Sequence, residues 1–256
     1  MEADKPIQQE EKSSAVEETR HNMLTVSVSP HIKSRESVEK IMWTVAACLV
    51  PPLILSVFVF GLQTLIITLI SVASCVAAEA VSQKLLKRPV TIRDGSAVIT
   101  GLLMAYVIPP GVPYWIPILG AVMAIYVAKH LLGGIGFNIF NPALVGRVFL
   151  FISFPVALTA YPEPGQWLRY TDAVTGPTPL GILNEGPAGG NVGELMNQVP
   201  SHLDLFLGRM MGSAGEISAL ALLIGMAYLL YRRIISWHIP VSILGTVFLF
   251  TGILWM

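Results

Sequence analysis

The chain has 256 residues, of which 54% are hydrophobic and only 12% charged, about half the charge of an average soluble domain. Sixteen Lys and Arg balance sixteen Asp and Glu, so no net field draws the chain towards nucleic acid, and none is expected as a partner. With a mean hydropathy of +0.67, this composition excludes an ordinary soluble domain and points to a protein that lives in lipid.

Residues 1–22 are polar and dense in charge, with no apolar core and no small-residue cleavage site. That pattern excludes a secretory signal peptide and predicts a disordered tail. Apolar runs follow, and a spanning helix needs about 20 mostly apolar residues. Residues 41–61 meet this, with Pro51 and Pro52 as an internal kink, and residues 63–83 form a second span. Residues 96–108 are apolar but short. Residues 114–132 read as a third long span. Residues 138–155 are marginal, opened by Asn141-Pro142 and interrupted by Arg147. Runs at 216–231 and 239–256 complete the set. The last ends at Met256 with no polar residue closing it, which predicts truncation at the C-terminus. Cys48 and Cys75 both fall inside apolar runs. Two thiols are too few for a zinc or iron–sulfur site, and they read as small apolar filler.

Orientation follows from the Lys/Arg bias of short connections. Residues 84–93 hold Lys84, Lys87, Arg88 and Arg93 and no acid, which predicts a cytoplasmic loop and, two crossings earlier, a cytoplasmic N-terminus. Counting onward, 109–113 lies outside, Lys129-His130 inside, 156–213 outside and Arg232-Arg233 inside. The 156–213 loop carries Glu163, Asp172, Glu185, Glu194 and Asp204 against Arg169 and Arg209. Tyr114, Trp115, Trp167, Tyr170 and Trp237 fall at predicted interfaces and read as an aromatic belt. The short segments 96–110 and 138–155 look like the broken helices that mark midplane sites in transporters. Taken alone, they favour a channel or secondary transporter for a small solute.

The outer loop is about 58 residues long, and loops of that length are usually functional. Within it, Asp172, Thr175, Gly176 and Thr178 form the run Asp-x-x-Thr-Gly-x-Thr. Composition alone reads this as an exposed turn. It also resembles the acceptor motif on which a flavin transferase esterifies FMN to threonine through its phosphate. Further stretches extend the resemblance: Ser29-Pro30-His31-Ile32, Asp94-Gly95-Ser96-Ala97, and Gly133-Gly134-Ile135-Gly136-Phe137-Asn138 followed by Asn141-Pro142-Ala143. Over residues 25–256 the chain is similar to the D subunit of the Rnf ion-translocating electron-transport complex, itself related to the B subunit of the sodium-pumping NADH:quinone reductase.

That resemblance implies an all-α polytopic membrane protein with broken helices and an inverted-repeat core. The expected organisation is a cytoplasmic tail (1–40), a first membrane repeat (41–155), an extracytoplasmic flavin-bearing loop (156–213) and the start of an incomplete second repeat (214–256). Thr178 would carry covalent FMN, with Asp172, Thr175 and Gly176 recognised by the transferase during maturation. A second, non-covalent flavin is a further implication. The implied setting is a bacterial inner membrane, among lipid and the other subunits of an Rnf-type complex, with electron flow coupled to Na⁺ or H⁺ transport. The chain departs from the family in carrying Pro177 where alanine is usual, which stiffens the backbone beside the acceptor. A solute channel, or a scaffold that only docks partner subunits, has no reason to carry the threonine motif.

Five ionisable residues fall in or near the membrane: Glu79, Lys129, His130, Arg147 and Glu216. Such residues are functional candidates by default. Glu79 and Lys129-His130 lie near predicted inner ends, where snorkelling to the interface is cheap. Arg147 lies deeper and is expected to pair with Glu216, neutralise a flavin phosphate or bind a quinone-like ligand.

Overall fold

A computed structural model describes residues 37–165, 175–184 and 199–255. The charged tail, Trp167, Tyr170, Asp172 and the 185–198 stretch lie outside the described residues.

Helix α1 (Val38–Phe60) and helix α2 (Leu62–Leu85) are the two longest apolar helices. At 1.5 Å per residue each spans about 35 Å, enough to cross a bilayer core of about 30 Å. Gly61 alone separates them, at φ 84°, a backbone conformation that glycine adopts without penalty. Helix α1 continues through Pro51 and Pro52. Proline has no N–H, so Pro52 leaves the Cys48 carbonyl without its helical donor. Gly225 of helix α9 (Ala219–Tyr231) packs on that carbonyl so closely that a Cβ would sit 2.9 Å from it. One residue on, the Leu49 carbonyl accepts the Tyr106 hydroxyl. The weakened turn is covered by its neighbours, as lipid requires.

The shorter segments differ from a simple series of spans. Residues 96–108 give helix α3 (Ser96–Tyr106). The straight third span expected over 114–132 is instead helix α4 (Trp115–Val122) followed by a π-helical stretch, Met123–His130. There the Leu131 amide reaches back five residues to Tyr126 at 3.0 Å. Of residues 138–155, helix α5 (Pro142–Ser153) takes the second part. Asn141 caps it, its side-chain oxygen accepting the Ala143 amide at 3.0 Å, with proline at the first turn, where no donor is needed. Then come helix α6 (Pro155–Thr159), strands β1 (Tyr161–Pro162) and β2 (Thr175–Gly176), and helices α7 (Pro179–Asn184) and α8 (His202–Leu207). Helix α9 and helix α10 (His238–Trp255) end the described chain.

Small residues let the central helices approach. The Ser71 hydroxyl of α2 donates to the Gly101 carbonyl of α3, and a Cβ on Gly146 of α5 would stand 2.9 Å from the Gly120 carbonyl of α4. Lipid supplies no hydrophobic drive between helices, so close packing and interhelical hydrogen bonds hold them. The buried centre runs through Ile67, Cys75, Ala97, Met104, Ile116, Ala121, Ile125 and Leu150. The outer faces are apolar too. Helix α10 exposes Phe248 at 77% and Leu254 at 85%, a surface that water would penalise and hydrocarbon does not.

Candidate functional site

Three elements meet at a buried polar cluster in the interior. Glu79 projects from α2, four residues before Gln83, hence on the same face. Lys129 and His130 end the π-helical stretch, and Ser96 opens α3. The Lys129 ammonium donates to Glu79 Oε1 at 2.8 Å, to Oε2 at 2.6 Å and to the Ser96 hydroxyl at 2.6 Å. The Gln83 amide adds a bond to Glu79 Oε1 at 3.1 Å and another to the Thr91 hydroxyl at 2.9 Å. Asp94 accepts from the Ser96 amide and hydroxyl. Glu79, Lys129 and His130 are all buried, so of the structural or interfacial role expected of them, snorkelling to the interface does not hold and a structural pairing does. What sequence could not give was the partner of Glu79, 50 residues away.

The Thr175–Thr178 stretch lies at another place in the fold. Thr175 pairs with Pro162, and Gly176 with Tyr161, in a two-residue antiparallel ladder. The Gly165 amide bonds the Val59 carbonyl at 2.8 Å, tying this region to the last turn of α1. Thr175 is exposed, whereas Gly176 and Thr178 are half-buried. A Cβ on Gly176 would meet the Met211 sulfur at 2.6 Å. The glycine is therefore used internally, in packing on Met211, in addition to any approach by another protein. The Thr178 Oγ1 accepts the Gly181 amide at 3.2 Å, at the start of α7. Asp172, the fourth motif residue, lies outside the described residues.

Arg147, on α5, lies close enough to Tyr161 for its charge to act on the phenol. No Arg147–Glu216 ion pair forms among the described residues; Glu216 instead accepts the Ser213 amide at 3.3 Å. Burial pushes the Tyr161 phenol above its usual pKa, the Glu216 charge adds to the rise, and Arg147 opposes it. Arg147 thus acts on Tyr161, whose backbone pairs with Gly176.

Long apolar helices, short interrupted ones and buried charges facing one another between them define a helical membrane protein. Residues 25–256 match the model of the NQR2, RnfD, RnfE family, and the chain belongs to that family. It is 47% identical over 229 residues to the D subunit of the Na⁺-translocating ferredoxin:NAD⁺ oxidoreductase complex of Acetobacterium woodii, a match covering 89% of this chain and 68% of that protein. It is 40% identical over 232 residues to the D subunit of the proton-translocating ferredoxin:NAD⁺ oxidoreductase complex of Clostridium ljungdahlii, covering 91% and 70%. The D subunit of an ion-translocating oxidoreductase complex of Escherichia coli is 33% identical over 261 residues, covering 90% and 73%.

Proposed function

We propose that this chain is the membrane subunit of an ion-translocating oxidoreductase complex and that it carries FMN as a phosphoester on Thr178. The observation that carries the reading is the run Asp172–Thr178 within a member of this family, together with a Thr178 oxygen whose bond from the Gly181 amide suits the group. The bond from the Gly181 amide uses a lone pair of Thr178 Oγ1, not its hydrogen. Esterification replaces the hydrogen, so the turn keeps that bond. Thr178 is also half-exposed, which leaves room for a flavin transferase to reach it.

When bound, FMN supplies electron transfer. The chain's own part is to hold and orient it. The β1–β2 ladder pairs the start of this stretch with Tyr161 and Pro162, and Pro177 limits the backbone beside Thr178. A covalent tether suits a carrier at an exposed site, because the group cannot diffuse away. In this reading the chain crosses a bacterial inner membrane several times, with its N-terminus in the cytoplasm and the 156–213 loop outside, as the Lys/Arg bias of short connections favours. The other members of the complex and lipid surround it. Electron passage is coupled to Na⁺ or H⁺ movement, the two ions for which the relatives above are named. A second, non-covalent flavin is part of the same proposal, by resemblance to the family.

The test is in-gel flavin fluorescence of the denatured chain, made in a host that has the transferase. A fluorescent wild-type band, lost in Thr178→Ala, is the expected result, together with a mass gain of FMN minus water on the peptide containing Thr178. Fluorescence that persists in Thr178→Ala removes the assignment.

A further inference from the structure

Two cavities flank the Glu79–Lys129 pair. One, of about 440 Å³, is lined by Glu79, Gln83, Arg88, Asp94, Lys129 and His130 among others. The other, of about 410 Å³, is bordered by Ser96, Thr100, Asn138 and Asn141, and again by Lys129. Lys129 therefore stands between them, its ammonium held by both Glu79 oxygens and the Ser96 hydroxyl. His130 is a second, independent mark of a site. Its ring is buried and lines the first cavity. Neither nitrogen has a hydrogen-bond partner among the described residues, although Nε2 stands 3.6 Å from Glu79 Oε1. A buried polar ring left unpaired is costly, and an apolar residue would spare that cost unless the ring serves a visiting partner.

We propose that Glu79 is a monovalent-cation exchange site at which the Lys129 ammonium and the translocated ion take turns. This rests on the ion-translocating reading above. With the ammonium seated, the carboxylate is neutralised and the two cavities are separated. A cation arriving from the first cavity replaces the ammonium at Glu79. For Na⁺, the donors then available are the two Glu79 oxygens, the Ser96 hydroxyl oxygen and one His130 nitrogen, mostly the hard ligands a hard ion takes. For a proton, Glu79 becomes the neutral acid and a His130 nitrogen accepts its hydrogen bond. In both cases Lys129 keeps its charge and turns towards the second cavity, where the side-chain oxygens of Thr100 and Asn138 can accept it. One positive charge replaces another at Glu79, no electron moves, and no bond to carbon is made or broken.

Two other charges line the first cavity: Asp94, which accepts the Ser96 amide and hydroxyl at 2.9 and 2.7 Å, and Arg88, which donates to the His130 carbonyl at 3.3 Å. The Asp94 carboxylate adds to the attraction of that cavity for a cation. Lys129 also rides on a π-helical turn, a local winding frequent at functional sites.

The experiment uses the whole complex in proteoliposomes, following ²²Na⁺ uptake and internal pH against electrons transferred. The expected result is that Glu79→Gln and Lys129→Gln each lower ions moved per electron at least tenfold while the covalent flavin band stays. The paired variant Glu79→Gln/Lys129→Met removes both charges together. If it pumps at the wild-type ratio, the pair is only structural and the proposal is overturned. Carbodiimide labelling of Glu79 in the wild-type complex, mapped by peptide mass, gives a readout without any substitution. Protection by Na⁺ at constant pH supports a sodium site, and labelling that rises with acid regardless of Na⁺ supports a proton site. Labelling indifferent to both overturns the exchange. A wild-type complex that moves neither ion sinks the ion-translocating reading instead.

Discussion

The Ser71 hydroxyl donates to the Gly101 carbonyl at 2.8 Å, and the same approach leaves only 2.6 Å between a Cβ built on Gly101 and the Cα of Val72. Helices α2 and α3 thus meet backbone to backbone, and this contact sets Ser96 and Glu79 within reach of one another. The neighbouring atom is main chain and cannot turn aside, so Gly101→Ala should cost about 1–3 kcal/mol through overpacking. Ser71→Ala, which removes one hydrogen bond, should cost less, about 1 kcal/mol. Thermal unfolding of the purified variants in detergent orders them. A Gly101→Ala protein that melts with wild type would refute the close contact.

Glu79 and Lys129 are each almost completely buried at 2.6 Å from one another. Removing one partner leaves a naked charge in the interior, at a cost of about 3–5 kcal/mol. Glu79→Gln and Lys129→Met should each lower the melting temperature, and the double variant should recover most of that loss. Additive losses in the double variant would show that the two residues do not depend on each other.

Gly176 lies against Met211 with no space for a side chain. Gly176→Val should push Met211 aside, disturb the ladder to Tyr161 and lower flavin incorporation several-fold. Adding Met211→Ala reopens the space and should restore part of the fluorescence. If Gly176→Val is labelled as well as wild type, the packing on Met211 has no bearing on the acceptor turn.

Tyr161 is held as the neutral phenol, its pKa raised above the ordinary value of 10.0 by burial first and Glu216 second. The folded state therefore keeps a proton that the unfolded chain gives up first. The stabilisation is complete below about pH 10 and declines as pH rises through the folded value. Stability of the wild type should fall on the alkaline side, and Tyr161→Phe should flatten that fall. A Tyr161→Phe pH profile that overlays the wild type would show that the phenol does not titrate with unfolding.

Much of the molecule is legible from residue order. Apolar runs long enough for lipid locate α1 and α2 within a few residues, because in hydrocarbon every backbone group must be satisfied inside its own helix. Asn141 followed by Pro142 announces the start of α5 through capping chemistry alone. The acceptor run from Asp172 to Thr178 is local, and a local pattern needs no tertiary knowledge to be seen. Less visible was the winding of 123–130, where an apolar run suggests a helix but gives no sign that it is π-helical.

The charges were harder. Glu79, Lys129 and His130 read singly as residues near helix ends, for which a path to the interface is always conceivable. Arg147 read as a partner for Glu216, yet no such ion pair forms among the described residues and Glu216 accepts the Ser213 amide instead. Residue order settles which segments are long and apolar enough for lipid and where the Asp172–Thr178 run sits, since both depend on neighbours in the chain. Which buried charge meets which depends on how close Gly101 lets α3 come to α2 and where the π-helical turn leaves Lys129. Those distances arise from packing between segments some 30 to 50 residues apart, and no local pattern encodes them.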